Sequence, residues 1–166
     1  MESLHPLIVH FPIALLLSAV AFDLTALIVK RPLLHRVSLW NLSLGTLAAG
    51  VAVLTGLRAE EVAKHSFEIW QVMALHERLG ITTFILSLMV TAWRWRTRDQ
   101  LTPRARAVTL AAMLAIATTV SVGGYLGGRL VYEFGVGGHF GAAPTSLLPS
   151  SPESSRPRLT LASPSQ

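Results

Sequence analysis

Apolar residues run in long unbroken stretches along this chain, with no period-two alternation. The stretches are Leu7 to Val29, Leu39 to Leu57, Val72 to Trp93 and Ala107 to Val131. A helix rises ~1.5 Å per residue and needs ~20 apolar residues to cross ~30 Å of hydrocarbon. Each stretch has that length. A membrane barrel would instead show ~10-residue segments of alternating character, which are absent. The pattern predicts an all-α fold, a four-helix transmembrane bundle over residues 1–138. After Val136 the chain turns to Gly, Pro, Ser and Ala, and residues 139–166 read as a disordered Pro/Ser-rich tail. Only a weak two-hairpin symmetry is visible, without shared motifs.

Composition agrees with a bilayer. Apolar residues make up 51% and charged residues 14%, against roughly 25% charged in soluble domains. The net charge of +5 does not mark a nucleic-acid binder, because the cations sit between apolar runs and form no basic face. No cysteine is present, so a side-chain-held metal or haem iron must use His, Met, Tyr or carboxylates. The first stretch lacks a basic region before it and a cleavage motif after it, and reads as a retained span.

The links between the first and second stretches and between the third and fourth hold Lys30, Arg31, Arg36, Arg94, Arg96, Arg98, Arg104 and Arg106. Clustered Lys and Arg mark the cytoplasmic side. Both termini are therefore expected outside. In a bacterium that means a multi-pass inner-membrane protein with periplasmic ends.

Histidine is uneven on this plan. His5, His10, His65, His76 and His139 fall toward the outer face and His35 toward the inner one. Ionisable groups inside spans are costly and usually functional. His10 and His76 should lie ~5 and ~6 Å inside parallel spans, a placement that permits bis-imidazole ligation of a b-type haem. His5 is a weaker candidate ligand. Gly80, Gly124 and Gly128 would leave space for a flat macrocycle, or serve helix packing alone. Asp23 is expected to bond to Asn41 or to the Arg94–Arg106 group. Met73, near His76, leaves a copper site open. Nucleophile elbow, Walker loop, HExxH and dinucleotide fingerprints are all absent.

The opening HPLIVHFPIALLLSAVAFDL, the TGL at Thr55, the HERLG at His76 and the closing GGYLGGRLVYEFGVGG resemble the bacterial membrane family called domain of unknown function 2231. The resemblance covers Leu4 to Gly138 and implies a four-span plan. Some relatives appear fused to Rieske or cytochrome-like domains, which implies a redox setting. It carries His5, His10, His76 and the Gly123–Gly128 group as family-like positions. The resulting expectation is a haem b electron carrier or accessory subunit, working with a redox partner protein or quinone and permitting a homo-oligomer. The alternatives are a scaffold subunit that binds a partner complex and a copper-handling or transport protein.

Overall fold

The computed structural model describes residues 5–60 and 67–136, all as helices and their joints. A short helix α1 (His5–Ile8) leads into α2 (His10–Val29), followed by α3 (Pro32–Glu60), α4 (Phe67–Arg96) and α5 (Pro103–Tyr132). The expected all-α bundle is therefore present, and α2 to α5 are each long and apolar enough to cross a membrane. Neighbours in sequence pack together and α2 closes the ring on α5, while the diagonal pairs stay apart. The expected tail at 139–166 lies outside the described residues, as do His65 and His139.

The first expected span is interrupted. Pro12 has no N–H to offer the Ile8 carbonyl, and the helix breaks at Val9. The second begins earlier than Leu39, at Pro32, whose fixed φ suits a helix start. Pro103 opens α5 in the same way, with the Thr102 hydroxyl accepting from the Ala105 N–H at 3.3 Å.

Leu16, Ala19, Val20, Leu42, Val90, Met113, Ile116 and Val120 form the buried core. Large apolar side chains such as Ile28, Leu47, Leu54 and Val108 are exposed outward, the face that a bilayer covers. Gly45 lets α3 close on α2, since a Cβ there would fall 2.8 Å from Leu16 Cδ2.

One charged side chain sits in the middle of this packing. Arg94 is 0% exposed. Its Nε donates to Asp99 at 3.0 Å, and Nη1 donates to the Ser38 hydroxyl at 3.1 Å and approaches Met113 Sδ at 3.5 Å. Nη2 donates to the His35 carbonyl at 3.0 Å, to Asp99 at 3.1 Å and to Asp23 at 3.4 Å. Arg94 thus touches α2, α3 and α5 from its place on α4. Asp99 reaches back because Arg98 and Asp99 take left-handed backbone (φ 49 and 57), with the Asp99 N–H donating to the Arg94 carbonyl at 2.8 Å. Asp23 meets Arg94 as one of its two expected partnerships; Asn41 instead accepts from Ser18.

The contacts also correct the reading that no motif repeats. Asp23 meets Arg94, and His35 meets Arg106, each across a separation of 71 residues. His5 and His76 keep that same register and are also in contact. Pro32 with Pro103, Ser38 with Thr109, Leu42 with Met113, Gly56 with Gly127 and Arg58 with Arg129 hold it too. Equivalent positions that touch each other are the mark of a two-fold axis. The bundle is two helical hairpins related by such an approximate axis.

Removing one partner of a buried, hydrogen-bonded charge cluster costs about 3–5 kcal/mol. Arg94→Met should therefore destabilise the bundle by about that amount, read as a lower unfolding midpoint in mixed detergent micelles. Arg94→Lys should recover only part of the loss, because an ammonium lacks the planar fork.

Candidate functional site

The approximate axis passes between two imidazoles at the end of the bundle that holds His5 and the start of α4. His5 enters from α1 and His76 from the second turn and beyond of α4. Their ring centres lie 6.3 Å apart and the ring planes are at 84°. Both are half-buried.

Each ring is held in the same way. His76 Nδ1 donates to the Gly123 carbonyl at 2.8 Å. A carbonyl only accepts, so Nδ1 carries the proton and the neutral ring has its lone pair on Nε2. His5 Nδ1 lies 3.1 Å from the Thr55 hydroxyl. That hydroxyl donates to the Val51 and Ala52 carbonyls at 3.0 Å, so it accepts from His5, and His5 takes the same tautomer. Each imidazole lies on a glycine: an added Cβ would come 2.9 Å from His5 Cε1 at Gly56 and 2.9 Å from His76 Cε1 at Gly127.

The expected ligand pair of His10 and His76 is not brought together. His10 is the first residue of α2, beyond the break at Val9, and is exposed. It borders a shallow outward hollow with Phe11, Ala14 and Leu15. Five residues separate His10 from His5, about 140° around a helix, so with His5 against His76 the His10 side chain faces outward. Gly124 gives room to Ile13, whose Cδ1 would lie 3.2 Å from an added Cβ, so its space is taken by packing. At Gly80 and Gly128 an added Cβ meets nothing within 4 Å, and open space flanks His76 there. Among the described residues no three His, Cys, Asp or Glu side chains group as a metal site.

The opposite end of the axis holds a site that sequence reasoning placed only in part. His35 Nδ1 donates to Asp23 at 2.7 Å, and Arg106 Nη1 lies 3.1 Å from His35 Nε2. Arg106 Nη1 also lies 3.2 Å from Nδ1, so the guanidinium rests against the imidazole ring and not on one ring nitrogen. The 71-residue register of His35 with Arg106 is the signal that would have joined them.

Burial pulls the His5 imidazole below its ordinary value of 6.5, and the nearby His76 acts in the same direction, while the Ala52 backbone bond opposes both. A lowered folded value means the fold favours neutral His5. Its contribution is complete above about 6.5 and is lost as pH falls through the lowered value. Thermal midpoints of the purified protein should fall below about pH 6.5, and His5→Gln should flatten that acid limb. Gly127→Ala should displace the His76 ring and disturb its Nδ1–H tautomer, seen in imidazole nitrogen chemical shifts. Gly128→Ala, with open space around it, should leave those shifts in place.

Neither the curated proteins nor the solved structures hold a match to this chain. A family model described as predicted membrane protein (DUF2231) matches residues 1–139. With four helices of spanning length and that match over most of its length, the chain is a multi-pass membrane protein that belongs to the DUF2231 family.

Proposed function

We propose that the protein is a membrane electron carrier that holds b-type haem iron between His5 and His76. The observation that carries this reading is the matched pair of imidazoles on the axis, each with Nδ1 committed to a backbone-linked acceptor. Metal-ligating histidines are oriented by such a bond on the other ring nitrogen. With ring centres 6.3 Å apart, His5 and His76 are the residues that would hold the iron.

Haem fits this donor set better than a bare ion. A structural metal such as zinc asks for about four protein ligands, whereas a haem would need only two from the chain. His5 and His76 supply two, from separate hairpins. Gly56 and Gly127 let the rings lie against α3 and α5, and the space beside Gly80 and Gly128 is where a flat group would extend. When bound, the haem would supply one-electron chemistry. The chain would hold it through His5 and His76 and limit water around it. The cations clustered in the two links support an orientation with the opposite end of the bundle at the cytoplasm. The iron would then sit near the outer face, between a quinol and an acceptor outside.

The test is an absorption spectrum of detergent-purified protein from a haem-replete host, oxidised and then dithionite-reduced. A sharp reduced α-band of b type is expected, lost in His5→Ala and in His76→Ala and kept in His10→Ala. A featureless spectrum from well-folded protein supplied with haem would overturn the reading.

A further inference from the structure

The opposite end of the bundle carries a basic hollow that plays no part in the haem reading. Its volume is about 330 Å³, and Lys30, Arg31, His35 and Arg106 line it together with Pro32. The rest of its wall is apolar, Ala26 and Leu27. No carboxylate lines it. Among the described residues Lys30 and Arg31 form no ion pair, and Asp23, the nearby acid of α2, is engaged by His35 and Arg94.

We propose that this hollow binds the phosphate of an anionic phospholipid headgroup, with an acyl chain lying along Ala26 and Leu27. Phosphate is the chemistry that two guanidinium forks and an ammonium recognise together. Arg106 uses Nη1 on His35, which leaves other donors of its fork. Helix α3 starts at Pro32 on the rim and adds the positive end of its dipole. The setting favours a lipid over a free anion. Leu27, Ile28 and Val29, just before the turn, are 40%, 80% and 53% exposed. They present an apolar outer surface next to the charges. A headgroup phosphate and its first methylenes have that same sequence of polarity, and a basic pocket between spans is a recurrent lipid site.

The turn itself points the same way. Lys30 is the left-handed cap of α2, at φ 53 and ψ 38, a conformation that glycine takes without strain and lysine does not. An ammonium is held where the backbone alone would prefer no side chain. Lys30→Gly therefore removes the charge while relaxing the turn.

The experiment uses the full chain in neutral detergent, titrated with short-chain phosphatidylglycerol, with matched phosphatidylcholine and with inorganic phosphate. Thermal midpoints give apparent affinities, and native mass spectrometry counts retained lipid. Phosphatidylglycerol should stabilise the protein above phosphatidylcholine. Each cation near an anionic headgroup contributes roughly fivefold in affinity, so Lys30→Gly with Arg31→Gln should weaken phosphatidylglycerol on the order of 30-fold. Arg58→Gln, the loss of a cation at the opposite end, should change little. Arg31→Glu alone repeats the test at an exposed position without touching the turn. If inorganic phosphate stabilises as well as phosphatidylglycerol and is lost in the same variants, the phosphate site stands and its source is a free anion. A wild-type protein that treats all three probes alike, or a lipid preference unchanged in these variants, would overturn the proposal.

Discussion

A guanidinium can leave water only if its N–H groups all find acceptors and its charge finds a counter-charge. Arg94 meets that condition with groups from every long helix, and much of the bundle's geometry follows from it. The Asp99 carboxylate must fold back onto α4, which requires two successive left-handed residues at the end of that helix. Ser38 and the His35 carbonyl must face inward, which sets the rotation of α3. Asp23 must lie at the same depth on α2, so the diagonal partner is fixed although the two backbones do not meet. The apolar core around Leu16, Met113 and Ile116 then fills what this polar centre leaves open. In hydrocarbon, where apolar burial gives helices little reason to associate, one shared cation supplies both contact and register.

The approximate two-fold axis links this centre to the histidine pair. At one end it passes between unlike groups, Asp23 with Arg94 and His35 with Arg106. At the other it passes between like groups, His5 and His76, each seated on a glycine and tied to an equivalent stretch of the neighbouring helix. An axis makes a paired site inexpensive to build, because one hairpin design supplies both ligands. The second hairpin carries its histidine within the continuous helix α4, whereas the first carries it in α1, before the break at Val9, and the 71-residue register makes His5, not His10, its equivalent.

The number of spans, their type and the polarity of the links were legible because spanning length and charge clustering are local properties of the sequence. The pairing of Asp23 with the arginine-bearing link was foreseeable from the cost of an isolated acid in a span. The histidine partner was not, since depth counted along an ideal helix places His10 level with His76 but does not say which face of the helix turns inward, and His5 and His10 lie about 140° apart around it. The repeat escaped notice for a different reason. Its surviving matches are few and scattered, Pro32 with Pro103 and Gly56 with Gly127 among them. The most telling pairs have diverged into opposites, so that Asp23 and Arg94 look unrelated until they are seen in contact. Arg94 likewise counts with the basic link in sequence, although it is buried.

The divergence of that central pair gives the molecule a sense of self. A hairpin that can pair with its sister can in principle pair with the same hairpin from another molecule in the same membrane. Two first hairpins would bring Asp23 against Asp23, and two second hairpins would bring Arg94 against Arg94, in a medium that screens neither. Only the unlike combination closes, and a single chain always carries one of each. The charge that holds the bundle together thus also keeps like halves of neighbouring copies from pairing.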